Sequence, residues 1–212
     1  MSSDRGVRRD AGSGGVPKRT TSVSAVDGSR RLPPGREALR LSLRPTVLGD
    51  LPAVTRMESM PDTSNWLGGT GTDWHTRALA DPDQGHFVGL VDDEIVGFAT
   101  LAGLEGSGPI ELRRMVVRPD RRGMGHGRAL LEAAVASIRE VTPTRRIWLD
   151  VKRTNTRARA LYESAGFVPA AGVPPFADAD SVAELDLVVM VNGPDADPRG
   201  GPTGPTSRKL DA

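Results

Sequence analysis

The sequence predicts an α/β (α+β) fold: one domain with a mixed sheet and a tail at each end. Three observations carry this. Apolar residues alternate between period two and period 3.6 from about residue 41 to 191. The resulting order is strand, helix, helix, three strands, helix, strand, helix, strand or strands, so only strands flanking a helical crossover need be parallel. Both ends lack apolar periodicity.

LSLRP (41–45) reads as a short strand ending at Pro45. VLGDLPAVTRMESM offers a helix with Asp50 at its N-cap, Pro52 in its first turn and Leu51, Val54 and Met57 at helical spacing. Pro61 should stop it, and PDTSNWLGGTGTDW should be a loop before a short helix from Trp74 to Asp81. HFVGLVDDEIVGFATLAGL reads as a hairpin turning at the acidic residues 92–94, and PIELRRMVV as a further strand. A helix over 127–139 buries Leu130, Leu131, Ala134 and Ile138. RRIWLDV is a strand, RARALYESAG a helix closed by Gly166, and VAELDLVVMV the last strand.

Residues 1–36 and 193–212 are rich in Gly, Ser, Pro and Arg, and are expected to be disordered because they cannot offset the entropy of ordering. That leaves 37–192 as the domain. The first 36 residues carry eight basic and three acidic side chains. Against a total of +1, the remainder therefore carries −4, which argues against nucleic acid as the main partner. The absence of cysteine excludes disulfides and thiolate chemistry, and none of the histidines has metal-ligand spacing. No apolar run approaches the ~20 residues of a membrane span, and there is no secretory h-region, so a cytoplasmic protein is expected. Lysine occurs only at 18, 152 and 209 against 25 arginines, a skew typical of GC-rich bacterial genomes.

RPDRRGMGHGRALLEAA (118–134) places Gly123, Gly125 and Gly127 between a strand and a helix. Such a turn binds anions, because the free amides of the first helical turn point outward and glycine lets the backbone approach closely. A P-loop would need Lys followed by Ser or Thr where His126, Gly127 and Arg128 stand, and a dinucleotide fingerprint would need glycine at 128. Asp150 imitates the ribose-binding acid of that fingerprint, but the loop lies too far into the structured chain to open such a domain.

The pattern Arg122-x-x-Gly125-x-Gly127, followed by Asn155, Ala158, Leu161, Tyr162, Glu163, Gly166 and Phe167 in NTRARALYESAGF, resembles the GNAT superfamily of acetyl-CoA-dependent N-acetyltransferases. The likeness covers about 41–191 and implies a single GNAT-type domain. Its largely antiparallel sheet would hold a splayed parallel strand pair at the coenzyme site, with helices on both faces. By resemblance, Arg122, Gly123, Met124, Gly125, His126, Gly127 and Arg128 cradle the coenzyme pyrophosphate. Arg121, Arg122 and Arg128 neutralise its charge, and Met115, Val116 and Val117 offer backbone hydrogen bonds to the pantetheine arm. His126 is expected exposed beside the phosphates.

Tyr162, on one helix face with Asn155 and Arg159, is by resemblance the general acid facing the sulfur; a ring packed in the core is the other reading. Glu111 is the candidate general base by resemblance, against a surface carboxylate beside Arg113 or Arg114, with Glu58 second. Alternation fails between Arg113 and Met115, consistent with a bulge that frees an amide of Met115 or Val116 for an oxyanion, or with an exposed edge. Trp66, Trp74 and Phe176 with Asp62, Asp73, Asp178 and Asp180 would suit a cationic amine. The partners expected are acetyl-CoA and an amine acceptor, with no metal and no membrane, and a homodimer is admitted without being required. The alternative to an enzyme is a non-catalytic acyl-CoA-binding sensor or interaction module.

Overall fold

The structure, a computed structural model, describes residues 41–193. The expectations for the tails, and for a domain start at 37, lie outside the described residues apart from Gly193. Seven strands form one sheet: β1 (Ser42–Pro45), β2 (Gln84–Val91), β3 (Glu94–Ala102), β4 (Ile110–Val117), β5 (Ile147–Lys152), β6 (Val168–Pro169) and β7 (Leu187–Asn192), in the order β1-β2-β3-β4-β5-β7-β6. Every pairing is antiparallel except β4 with β5.

Helices cover both faces, as the adjacent residues Phe98 and Ala99 show. Phe98 packs with Val54 and Met57 of α1 (Leu51–Ser59), whereas Ala99 packs with Leu131, Ala134 and Ile138 of α4 (His126–Val141) and with Tyr162 of α5 (Thr156–Ser164). Neighbouring strand residues point to opposite faces, so one strand feeds two cores. The β2–β3 hairpin closes on Asp92 and Asp93, both with positive φ, the geometry whose twist matches paired strands.

Three boundaries differ from the sequence reading. Pro61 ends α1 but also begins α2 (Pro61–Ser64), because its missing N–H is harmless at a first helical position. The next helix, α3 (Gly71–Ala80), starts at Gly71 rather than Trp74. Residues 182–184 belong to α6 (Ala179–Glu184), where the Asp178 carboxylate accepts from the Asp180 amide and the Ser181 hydroxyl; left-handed Asp186 then turns the chain into β7. Asp50 does occupy the N-cap of α1, but its carboxylate accepts from Arg44 and the Val47 amide instead of capping forward.

Candidate active site

The parallel pair is held at only two positions, Ile110 opposite Ile147 and Glu111 opposite Trp148. Beyond them the strands part. Thr100 pairs with Arg114 and Leu101 with Leu112, so Arg113 is an extra residue and the expected bulge lies there. The gap is a cleft of about 400 Å³. One wall is Leu112 to Val117 and the other Asp150 to Lys152; Asn155 at the start of α5, with Leu161 and Tyr162 within it, closes one side, and Asp62, Thr63, Trp66 and Leu67 the other.

At the far end of β4, Gly123 and Gly125 both have positive φ, a conformation that costs other residues about 1–2 kcal/mol. Left-handed Gly125 is the N-cap of α4, and its carbonyl accepts from Ala129, so the amides of His126, Gly127 and Arg128 precede the first intrahelical donor. Gly123, Gly125, Gly127, Arg122 and Arg128 line the cleft. Arg122 donates from Nε to the Val117 carbonyl (3.0 Å) and from Nη2 to the Thr63 hydroxyl (2.6 Å), tying the loop to α2. Burial and the charge of Arg157 both lower its pKa, so an arriving anion would relieve the site.

Of the other residues expected at the site, Met115, Val116, Val117 and Asn155 line the cleft, and the Asn155 side chain also caps α5 by accepting from the Ala158 amide. His126 does not lie exposed beside phosphates. It is only 5% exposed, and its Nδ1–H donates to the Arg121 carbonyl (2.9 Å), pinning the turn from beneath. Arg121 turns away to pair with Glu94, Met124 faces solvent, and Arg159 lies near the Arg153 carbonyl and Glu163. Glu111 is ion-paired with Arg113 at 2.8 Å. Asp178 is spent capping α6, and Phe176 packs on Trp148, so neither is part of this cleft.

Tyr162 is 9% exposed and borders the cleft. Burial, assisted by the charge of Asp150, pushes its phenol up to about 12. Asp150 projects into the cleft from β5; its side chain is exposed, yet partial desolvation by the cleft walls raises its pKa, the Glu111 charge raises it further, and Arg113 offsets part of the rise. The sequence reading saw Asp150 only as a ribose mimic. The available signal was a lone acid in the apolar run IWLDV, and its meaning required knowing that β5 faces β4.

The model of the Acetyltransferase (GNAT) family matches residues 51–167, which is more than half of the chain. The chain belongs to the GNAT acetyltransferase family. This GNAT chain is 41% identical over 91 residues to the mycothiol acetyltransferase of Jonesia denitrificans, across 42% of its own length and 28% of that protein. It is 46% identical over 54 residues to the mycothiol acetyltransferase of Streptomyces griseus, across 24% and 17%. It thus spans between 17% and 28% of the length of these curated relatives. Solved structures share the fold. A spermidine N-acetyltransferase chimera from Vibrio cholerae and hSSAT superposes with a TM-score of 0.59 at 20% identity, over 71% of this chain and 93% of that one. An acetyltransferase from Thermus thermophilus gives 0.56 at 24%, over 73% and 97%. An aminoglycoside acetyltransferase in complex with coenzyme A gives 0.59 at 20%, over 74% and 96%.

GNAT enzymes use acetyl-CoA, and this cleft has the parts such a ligand needs: free helix-terminal amides, two arginines, and a strand edge without a full-length partner. Gly125→Val should weaken coenzyme A binding about tenfold or more, because a β-branched residue resists the left-handed N-cap and the amides lose their aim. Isothermal calorimetry reads this directly, and unchanged affinity would remove the loop from the site. Among the described residues, no group of three or more His, Cys, Asp or Glu is placed to hold a metal, and no helix is long and apolar enough to cross a membrane.

Proposed function

We propose that residues 37–192 form an N-acetyltransferase domain that moves the acetyl group of acetyl-CoA onto a primary amine of a small molecule or peptide by direct attack. The observation that carries this is the cleft where β4 and β5 part, which brings the glycine loop, a free strand edge, Tyr162 and Asp150 into one space. The amine nitrogen forms the new bond to the acetyl carbon while the carbon–sulfur bond breaks. Tyr162 supplies the proton to the departing sulfur, and its raised pKa keeps that proton available through the working range.

Asp150 supports the reading as the group that receives the amine proton, in place of Glu111. Glu111 is occupied by Arg113 and acts one step back, its charge adding to desolvation in raising the pKa of Asp150. The bulge at Arg113 supports a role for the Met115 or Val116 amide toward the carbonyl oxygen. The loop residues Arg122 to Arg128, with Asn155, Arg121 and Arg159 nearby, are assigned to the coenzyme.

Thiol release from acetyl-CoA across a panel of amines and peptides, with mass spectrometry of the products, tests the function. Binding of acetyl-CoA without release on any acceptor would make the domain an acyl-CoA-binding module instead. With a working acceptor, Asp150→Asn should lower kcat by about 100-fold or more. If Asp150 is the base, the wild-type rate should rise with pH as it loses its proton, and the variant should lack that limb. An Asn variant with unchanged kcat and pH profile would return the base role to Glu111 or to no residue.

A further inference from the structure

Arg114, immediately after the bulge, crosses the α1 face of the sheet to meet Glu58. Its Nη1 donates to Glu58 Oε1 (2.6 Å) and to the Gly68 carbonyl (3.0 Å), and its guanidinium carbon lies 5.1 Å from the centre of the Trp74 ring. Both hydrogen bonds leave from the same nitrogen. Among the described residues, Nε and Nη2 have no hydrogen-bond partner, while the side chain is 14% exposed and borders the cleft.

Behind Glu58 runs a buried polar chain that the acyl-transfer reading does not use. Glu58 is 1% exposed; its Oε2 accepts from the Thr70 hydroxyl (2.9 Å) and lies 3.2 Å from His75 Nε2. His75 Nδ1 lies 2.9 Å from His86 Nε2, and His86 Nδ1 lies 2.8 Å from the Thr46 hydroxyl. An ionised carboxylate can only accept, so His75 donates to it from Nε2. Well-packed apolar side chains in place of a buried ionic network are often as stable or more so, since buried ionic groups are costly to desolvate. What the chain achieves that they would not is a single fixed position for the Glu58 carboxylate, and through it for the Arg114 guanidinium.

We propose that Arg114 is the acceptor-binding cation of this enzyme, held by the Glu58–His75–His86 chain so that its free edge takes a carboxylate carried by a small amine acceptor. The inference rests on the N-acetyltransferase reading and specifies its substrate class. Arg114 precedes the end of β4 by three residues, roughly 10 Å along the strand, and the phosphate loop begins beyond that end at Arg122, so the pyrophosphate is not its ligand. It lies on the β4 wall of the cleft that Asp62, Trp66, Leu67 and Asp150 also line. With Nη1 committed to Glu58, the Nε–Nη2 edge is the geometry that grips a carboxylate through two parallel hydrogen bonds. An acid for the amine and a cation for the carboxylate match an amino acid better than a polycation. A cleft of about 400 Å³ that must also admit the acyl donor favours a small one.

The experiment compares alanine, alaninamide and ethylamine, and leucine, leucinamide and isopentylamine, as acceptors and as ligands of the coenzyme A complex by calorimetry. The carboxylate member of each set should show kcat/KM, and binding, about tenfold or more above its partners. Arg114→Gln should bring those ratios within about twofold, with the KM for acetyl-CoA unchanged, and Arg114→Lys should recover part of the preference. His75→Gln should raise the acceptor KM while kcat and the KM for acetyl-CoA hold, a split that a merely structural role would not produce. A wild type indifferent to the carboxylate, or a preference that survives Arg114→Gln, overturns the proposal. The calorimetric arm reads Arg114 without turnover, so a chain that binds the amino acids through Arg114 but releases no thiol would fail as a transferase while keeping this site. Arg114→Lys, which preserves the charge opposite Glu58, decides the matter should Arg114→Gln not fold.

Discussion

Tyr162→Phe is expected to lower kcat by about 10²- to 10⁴-fold while coenzyme A affinity stays within about twofold, the range associated with removing a positioned general acid. The substitution isolates the hydroxyl. The Tyr162 ring packs in the main core, 6.0 Å from Phe167, and phenylalanine fills the same volume. Burial and Asp150 both resist ionisation, with the phenol at about 12, so across the assay range wild-type Tyr162 keeps its proton, as the proposed general acid must. Single-turnover measurement at saturating acceptor separates the chemical step from product release. A rate equal to wild type there would show that the ring serves only the core, the other reading the sequence allowed.

Acid should unfold the domain through the Glu58–His86 chain. Burial would raise the Glu58 pKa, but hydrogen bonds from His75 and Thr70 and the charge of Arg114 prevail and bring it from 4.5 to about 2. Its stabilising contribution is complete above the unfolded value of 4.5 and drains as pH falls toward 2. Burial, then the neighbouring His75, lower His86 from 6.5 to about 4, against partial support from Glu58 and Asp50. Between those two values the unfolded chain binds a proton that the folded chain refuses, so stability falls as pH drops from 6.5 to 4. Each shift corresponds to about 3 kcal/mol, which against a typical domain stability of about 5–15 kcal/mol is enough to bring on acid unfolding. Urea midpoints measured from pH 7.5 to 3.5 should decline from near pH 6.5 downward. His86→Asn should flatten the upper part of that decline, whatever it does to stability at pH 7. A variant with the wild-type slope between 6.5 and 4 would assign the loss elsewhere.

The sequence carried the parts of the site that are local. Gly125 before an apolar helix, Asn155 seven residues before Tyr162, and the broken alternation at Arg113 each depend on neighbours within a few residues, and each stands where the pattern put it. What it hid depends on long-range pairing. Asp150 gains its surroundings only because β5 parts from β4, and nothing within IWLDV says so. Glu58, His75 and His86 sit on α1, α3 and β2, on separate segments of the chain, and meet only once two helices pack on the same sheet face. The exposure of His126 was misjudged for a related reason. A histidine between glycines reads as part of an open loop, yet the left-handed turns at Gly123 and Gly125 fold the chain so that its ring lies underneath.

The two-residue grip between β4 and β5 has a consequence for cohesion. The sheet is close to being two sheets, one running from β1 to β4 and the other made of β5, β7 and β6, joined at Ile110 and Glu111 and propped apart above that point. A ligand that pairs with the free edge of β4 replaces backbone partners the fold itself omits. On the proposed coenzyme role, filling the cleft and resisting unfolding are two readings of one free energy, and a bound coenzyme should raise the unfolding midpoint.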